Sequence, residues 1–146
     1  MPSKITLPKK TRSYNINAKT IEVIDGDTFK FKSNWLPKPL SDTHIVRLYG
    51  IDTPESDITK ASGGQQEVLM GVKAKEFVKQ YLDEQLSKNG STAVLKITGQ
   101  VDKYGRLLCD LSVNKKSLCN TLLTNGLAKP YVGGKKESWN RKFKIN

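Results

Sequence analysis

Two short acidic motifs occur in a chain that is otherwise strongly basic. Asp25-Gly26-Asp27-Thr28 comes first and Asp52-Thr53-Pro54-Glu55 second, with Arg47 between them. The chain of 146 residues has a formal net charge of +11, which suits a surface that binds the phosphates of a polyanion. Carboxylates repel phosphates, so a carboxylate cluster on such a surface makes sense where a cation binds and inverts the local charge. The combination indicates metal-assisted phosphodiester chemistry.

The acidic residues are of the types that such chemistry requires. Phosphodiester hydrolysis needs a hard cation on a non-bridging oxygen and a base for the attacking water. Asp27 and Asp52 offer carboxylate oxygens and Thr53 offers its backbone carbonyl, a set that suits an oxygen-preferring ion such as Ca²⁺. Glu55, three residues beyond Asp52, could hold a metal-bound water or take its proton.

Two arginines could stabilise the charge that develops on the phosphate in the transition state. A guanidinium is a planar fork that matches phosphate oxygens, a geometry that lysine cannot copy. Arg47 shares one face of a predicted strand with apolar neighbours, so we expect it to point into a lined pocket. Arg106 follows the hairpin signal Asp102-Lys103-Tyr104-Gly105, where an ordinary surface arginine is the alternative.

The acidic motifs also have ordinary structural interpretations. Asp25-Gly26-Asp27 is a strong signal for a hairpin turn, and Asp52-Thr53-Pro54 can be a strand exit that proline stops. In that interpretation Asp25 is structural, and at a metal site it would orient its neighbours. The joint presence of the carboxylates and both arginines favours a site over isolated turns.

The hydrophobic pattern predicts five strands and two helices. Strands are expected over residues 20–24, 29–32, 44–51, 93–101 and 106–113, and helices over 66–87 and 117–125. Loops are expected over 33–43 and 55–65, with one further short turn around 137–143. A helix between the third and fourth strands is the order of a five-stranded OB-fold barrel. We therefore predict an α+β, mainly β, fold with two to three helices.

The same pattern divides the chain into an arm and a domain. Residues 1–19 are basic and polar, which predicts a flexible N-terminal arm. Residues 20–146 form one predicted domain, since nothing in the sequence suggests a repeat or a second core.

Four linked motifs resemble the staphylococcal (micrococcal) nuclease family, also called thermonucleases. In chain order they span residues 23–28, 47–55, 102–106 and 125–128, and the likeness extends from about Thr20 to Tyr131. The resemblance implies an OB-fold endonuclease that depends on Ca²⁺ and cleaves DNA and RNA, leaving 3′-phosphate and 5′-hydroxyl ends. It also implies a monomer that prefers single strands or frayed duplexes and needs no membrane.

By this resemblance, each acidic residue has an expected role. Asp27 and Asp52 would ligate Ca²⁺ through their carboxylates, and Thr53 would ligate it through its carbonyl. Glu55 would position or deprotonate the attacking water, and so it is the expected base.

The basic and aromatic residues have expected roles on the same grounds. Arg47 and Arg106 would hold the phosphate and stabilise five-coordinate phosphorus. Lys103 and Tyr104 match positions that contact the terminal phosphate and the nucleotide. Tyr131 lies near the position of a tyrosine that stacks on the base, with simple packing as the alternative.

Other functional classes fit the sequence less well. His44 is the single histidine, which excludes histidine–metal nuclease motifs and a serine–histidine triad. A calcium sensor is disfavoured because the Asp-Gly-Asp motif lacks the downstream glutamate of an EF-hand. The main alternative is a catalytically inactive OB-fold module that binds nucleic acid.

Cysteine use and the chain start bear on the cellular compartment. Cys109 and Cys119 lie in apolar stretches, which predicts buried free thiols, with a disulfide as the alternative. No run reaches transmembrane length and no apolar leader segment follows Met1. We expect an intracellular protein if Met1 is native, and a secreted one if Met1 was added to a processed chain.

Overall fold

The structure, a computed structural model, describes residues 4–33, 43–89 and 92–131. Nine strands form within these ranges: β1 Arg12–Asn17, β2 Glu22–Asp25, β3 Thr28–Lys32, β4 Thr43–Leu48, β5 Ile51–Asp52, β6 Thr92–Val101, β7 Leu107–Val113, β8 Lys116–Ser117 and β9 Lys129–Pro130. The helices are α1 Gly64–Asn89, α2 Leu118–Thr124 and a 3₁₀ turn, Ala18–Thr20. Most of the predicted 33–43 loop and the predicted turn around 137–143 lie outside the described residues.

The strands form one large mixed sheet and one small sheet. The large sheet has the order β1-β6-β7-β4-β3-β2, with β8 beside β7, and β5 pairs with β9 separately. The pairing of β4 with β7 is parallel and the other pairings are antiparallel. The predicted α+β, mainly β, OB-like class is confirmed. The sheet is not a closed barrel of five strands, because β1 and β2 are its two ends in the described pairing.

Strand β1 lies within the segment for which the sequence predicted a flexible arm. It pairs with β6 from Arg12↔Ile97 to Asn17↔Thr92, and its Ile16 belongs to the core. The other residues of β1 are exposed, and the alternation of Tyr14 and Ile16 with polar residues is too short to distinguish a strand from a polar arm. Residues 12–17 are thus part of the sheet and not of a free arm, because pairing with a distant strand orders them.

Helix α1 covers the core and confirms the helix predicted over residues 66–87, with two more residues at each end. Its buried side chains Ala74, Val78 and Tyr81 recur at helical spacing and belong to the main hydrophobic cluster. The sheet contributes the other large buried side chains of that cluster, including Phe29, Phe31, Val46, Leu48, Leu95 and Leu111. The helix is therefore fixed over the sheet by apolar packing along one face.

The short helix predicted over residues 117–125 and the predicted buried thiols are also confirmed. Ser117 caps α2, since its side-chain oxygen accepts the N–H of Asn120 at 3.1 Å, and Gly126 follows the helix at a φ of +70°. Cys109 and Cys119 are buried free thiols. Within the described residues, neither helix has both the length and the apolar character needed to cross a bilayer.

Candidate active site

Strand pairing brings the first acidic motif beside Arg47. The β3–β4 register places Thr28 opposite Arg47, and Leu48 donates its N–H to the carbonyl of Asp27 at 2.8 Å. Asp27 therefore lies immediately before β3, next to the strand that carries Arg47. Antiparallel pairing thus brings together two residues that are 20 positions apart in the sequence.

Arg47 joins the two acidic motifs in the interior. Its Nη2 donates to Asp27 Oδ2 at 3.2 Å and to Asp52 Oδ1 at 3.3 Å. The side chains of these residues are no more than 8% exposed, so solvent screens their attraction only weakly. Nη1 donates to the carbonyls of Leu48 and Ile51, at 3.3 and 3.2 Å. The planar fork of the guanidinium thus fixes both carboxylates relative to the β4–β5 corner, the turn at residues 49–50 between these strands.

The β4–β5 corner also brings Tyr131 to the site. Gly50, at a φ of +77°, turns the chain between the strands, and its carbonyl accepts the N–H of Tyr131 at 2.9 Å. The guanidinium carbon of Arg47 lies 5.5 Å from the centre of the Tyr131 ring. Tyr131 is therefore a cation–π partner of Arg47 at the edge of the described chain.

Thr53 and Gly26 bring the two motifs into direct contact. Thr53 donates its N–H to Asp27 Oδ2 at 3.3 Å. A Cβ on Gly26 would lie 2.8 Å from Thr53 Oγ1 and 3.0 Å from the Ala74 Cβ, so glycine permits this approach. In the described residues, the buried Thr53 Oγ1 has no hydrogen-bond partner.

Asp25 lies beside Glu55, closer to the proposed chemistry than its sequence position suggested. The side chains of Glu55 and Ser56 are near enough to lower the pKa of its carboxyl. Burial, and then the negative charge of Asp27, raise the pKa of Asp25, while the hydrogen bond from Gly26 acts in the opposite direction. The site thus contains a second pair of adjacent carboxyl groups.

Arg106 approaches the same carboxylates from the solvent side. The parallel pairing of β4 with β7 places Leu107 opposite Val46, so Arg106 lies at the entrance to this pair. Its Nη1 donates to Thr28 Oγ1 at 3.5 Å, and Thr28 in turn donates to Asp27 Oδ1 at 3.0 Å. Arg106 thus follows the predicted hairpin. Its contact with Thr28 places it beside the carboxylates, unlike the ordinary surface arginine of the alternative interpretation.

Asp102 holds Arg106 in this orientation. Asp102 Oδ1 accepts the backbone N–H groups of Tyr104 and Arg106, each at 2.9 Å. Asp102 Oδ2 accepts Nε–H of Arg106 at 2.6 Å. The Asp102 carboxylate therefore stabilises the turn before Arg106 and also orients the Arg106 side chain through an ion pair.

Lys103 and Tyr104 form an exposed platform next to Arg106. The Tyr104 ring is 72% exposed, and it lies 5.2 Å from Lys103 Nζ and 5.4 Å from the guanidinium carbon of Arg106. An exposed aromatic ring between two cations can stack a base while the cations contact phosphate.

A comparison with protein families assigns the chain. The family model described as staphylococcal nuclease homologue matches residues 45–144, more than half of the sequence. The chain belongs to this family. No match was found among curated proteins. The matched span includes Arg47, the second acidic motif and Arg106, and the structure adds Asp27 to them through its ion pair with Arg47.

Membership of the staphylococcal nuclease homologues supports a nuclease-like or nucleic-acid-binding protein. It leaves the roles of the individual residues as predictions. The structure brings together Asp27, Asp52, Thr53, Glu55, Arg47, Arg106 and Tyr131, and it places Lys103 and Tyr104 on the adjoining hairpin.

The donors available for a cation are few but of suitable type. In the described part of the chain, no three His, Cys, Asp or Glu residues form a group arranged to hold a metal ion. The expected set contains only two such residues, Asp27 and Asp52, with the Thr53 carbonyl as third ligand. The two carboxylates converge on a single nitrogen of Arg47, and oxygen donors suit a hard cation that keeps some water ligands. The donor types therefore suit such an ion, although Arg47 occupies the point where the two carboxylates meet, and calcium stays a prediction.

Sequence reasoning missed one residue of this region. Glu67 is 2% exposed, and its Oε2 accepts the backbone N–H of Glu55 at 2.8 Å. In the sequence it is one polar residue in the first turn of a predicted helix. The one available signal is the run of serine and glycine just before it, which needs a hydrogen-bond acceptor where the helix begins.

Proposed function

We propose that this chain is a Ca²⁺-dependent endonuclease that hydrolyses the phosphodiester bonds of DNA and RNA, leaving 3′-phosphate and 5′-hydroxyl ends. The observation that carries the proposal is the buried junction of Arg47 with Asp27 and Asp52, beside which Glu55 and Arg106 lie. It combines carboxylates with forked cationic donors, as phosphoryl chemistry requires.

The charge of the chain supports this choice. A module that only binds polyanions gains nothing from carboxylates beside its phosphate contacts, since they repel the ligand. In a chain of net charge +11, four acidic residues nonetheless lie close together, Asp25, Asp27, Asp52 and Glu55. A cation that bridges carboxylates and phosphate removes this conflict.

In the proposed reaction, Asp27, Asp52 and the Thr53 carbonyl would hold the calcium ion. When bound, the ion would neutralise charge on a non-bridging phosphate oxygen. Glu55 would hold the attacking water and take its proton, since its side chain lies near Asp25 of the first acidic motif.

Arg47 and Arg106 would bind the phosphate more tightly in the transition state than in the ground state. Arg47 donates to the backbone carbonyls of Leu48 and Ile51, and the ion pair with Asp102 orients Arg106. Such preorganised donors need no reorientation as charge develops on the phosphate. Water would attack phosphorus in line, and the 5′ oxygen would leave.

Lys103, Tyr104 and Tyr131 would bind the nucleic acid beside the scissile bond. The exposed Tyr104 ring can stack only on a base that has left its duplex partner, so single strands and frayed ends would be preferred. Lys103 would contact a terminal phosphate, and Tyr131 would pack between Arg47 and a base. Nothing in this arrangement requires a second copy of the chain, and we propose that it acts as a monomer.

One observation favours the alternative of an inactive binding module. The Arg47 guanidinium already donates to four acceptors of its own chain, so the acidic set is partly neutralised from within. In that case the ion pairs would stabilise the β4–β5 corner, and the basic surface alone would bind nucleic acid.

The first experiment compares cleavage of single-stranded DNA, duplex DNA and RNA in Ca²⁺, in Mg²⁺ and in EDTA. We expect cleavage with Ca²⁺ that EDTA abolishes. Glu55→Gln should lower turnover about 10²- to 10⁴-fold, the usual contribution of a general base. Glu76→Gln is the matched control, because it makes the same change of charge at an exposed position of α1. Tight binding without cleavage under every metal condition would establish the binding module instead.

A further inference from the structure

Glu67 is a buried carboxylate that touches the proposed site without belonging to its acidic cluster. Its Oε2 accepts the N–H of Glu55 at 2.8 Å. Its Oε1 accepts the N–H of Gly63 at 2.8 Å and the hydroxyl of Ser62 at 3.3 Å. One side chain therefore connects the first turn of α1 to the backbone of the proposed base.

The partners of Glu67 are neutral groups. Among the described residues no lysine or arginine forms an ion pair with it, although it is only 2% exposed. Burying a carboxylate without a cation is costly unless hydrogen bonds compensate. Glu67 Oε1 serves the start of the helix, as in a capping interaction. The bond from Oε2 to Glu55 is not needed for that purpose.

The helix face that carries Glu67 lies directly against the segment that carries Glu55. Gly71 is one turn beyond Glu67, and a Cβ there would collide with the carbonyl group of Glu55. Ala74, on the same face, is fully buried beside Gly26 of the first acidic motif. The Glu55 backbone is thus fixed at two adjacent points. Its carbonyl packs against Gly71, and its N–H donates to Glu67.

We propose that Glu67 is a positioning residue, which fixes the backbone of Glu55 and so the point from which the Glu55 carboxylate reaches the attacking water. The proposal rests on the proposed nuclease function for its catalytic consequence. In this role Glu67 would contact only its own chain, through Glu55, Ser62 and Gly63. It acts through Glu55, and any effect of Glu67 on turnover should disappear when the Glu55 carboxylate is absent.

Glu67→Gln tests the kinetic consequence. The amide keeps the shape but has one acceptor oxygen, so either Glu55 or Gly63 loses its partner. We expect turnover of a labelled single-stranded oligonucleotide to fall about 10- to 100-fold, with KM changed less than about twofold, because small misplacements of reacting groups are costly. Glu76→Gln, with the same change of charge on the same helix, should keep wild-type turnover.

A double-mutant cycle separates positioning from general loss of structure. In a Glu55→Gln background, Glu67→Gln should produce no further loss of turnover. The proposal is overturned if the two losses multiply, or if Glu67→Gln alone has wild-type turnover. If Glu67→Gln does not fold, Gly71→Ala displaces the same backbone from the other contact. Wild-type turnover in folded Gly71→Ala would then overturn the proposal.

Amide hydrogen exchange tests the contact without any reliance on activity. The Glu55 amide should exchange about 10-fold faster or more in Glu67→Gln than in the wild type, and at the wild-type rate in Glu76→Gln. Unchanged protection of this amide would overturn the positioning role. A wild-type chain that fails to cleave would instead overturn the proposed function and the kinetic consequence, while faster exchange would still support the contact.

Discussion

Asp27 and Asp110 are both buried carboxylates, yet they have opposite kinds of partners. Asp27 pairs with the guanidinium of Arg47 at 3.2 Å. Asp110 accepts only neutral donors among the described residues, the N–H groups of Leu111 and Cys119 at 2.8 and 3.1 Å and the hydroxyl of Ser117 at 2.5 Å. Burial alone therefore does not distinguish a carboxylate of the proposed site from a structural one.

The different partners of Asp110 and Asp27 predict different roles for the two carboxylates. Asp110 lies where β7 meets α2, and its acceptors orient the first turn of that helix; a neutral acceptor could do the same. Its charge also contributes, after burial, to raising the pKa of Cys119 well above the usual value, so it lies among groups that stay protonated. Asp27 has a cationic partner, and Thr28 links it to a second cation, Arg106. The difference predicts that charge matters at Asp27 and geometry at Asp110.

The largest effect that would sharpen this comparison is expected at the cationic partner. Arg47→Lys keeps the charge but replaces a fork that reaches four acceptors with a single ammonium group. We expect turnover to fall about 10²- to 10³-fold, the usual cost of removing a transition-state donor, with a much smaller loss of affinity. Steady-state kinetics on single-stranded DNA would separate the two.

Arg12→Lys is the matched control, since Arg12 lies exposed on the edge strand β1. It should leave turnover unchanged. A loss of affinity in Arg47→Lys with no loss of turnover would show that Arg47 binds the ground state and would contradict its proposed role.

The next effect concerns stability at Asp110. Asp110→Ala leaves two buried N–H groups and the Ser117 hydroxyl without their acceptor, and should lower the free energy of unfolding by about 2–4 kcal/mol. Asp110→Asn keeps an acceptor oxygen for the N–H groups, and its amide can donate to Ser117. It should cost no more than about 1 kcal/mol. Urea unfolding measures both.

Turnover per folded molecule should stay at the wild-type level in both Asp110 variants. A loss as large in Asp110→Asn as in Asp110→Ala would show that the charge itself is needed there. The contrast with Asp27 would then fail.

The sequence predicts the elements whose signal is local. Helix α1 has a long apolar repeat, and the hairpin at 102–105 and the cap of α2 have characteristic residues. Strand β1 and the two-residue strand β9 have only a short local signal or none, because their order comes from pairing with distant residues. The same limit explains why five strands were predicted and nine are described: hydrophobic patterns identify long strands but not short ones or the ends of a sheet.

The site follows the same division. The residue types of the acidic motifs and the apolar face around Arg47 are visible in the sequence, and the burial of Arg47 agrees with that face. The bond between Glu67 and Glu55 is not visible, since it depends on how α1 rests on the loop before it. The sequence likewise gives no signal for the role of Gly71, because only the packed structure shows what a side chain there would contact.

The smallest effect is expected at Asp102, whose environment is intermediate between those of Asp27 and Asp110. Burial alone would raise its pKa, but hydrogen bonds from the backbone and side chain of Arg106 and from Tyr104 outweigh it and hold the pKa below the usual 3.8. A depressed carboxyl pKa stabilises the fold above the unfolded-state value, and this stabilisation is lost as pH falls through the folded-state value. Asp102→Asn should therefore be less stable than wild type by about 1 kcal/mol at pH 7 and pH 5, the upper range for a partly exposed pair.

The difference between wild type and Asp102→Asn should shrink below about pH 4, as the wild-type carboxylate takes up its proton. Urea unfolding at pH 7, 5 and 3 follows it, with Asp83→Asn on the exposed face of α1 as control. A difference that stays constant down to pH 3 would show that Asp102 stabilises the turn through its shape and not its charge. Asp102 would then resemble Asp110, and the orientation of Arg106 would depend on the hairpin backbone rather than on the ion pair.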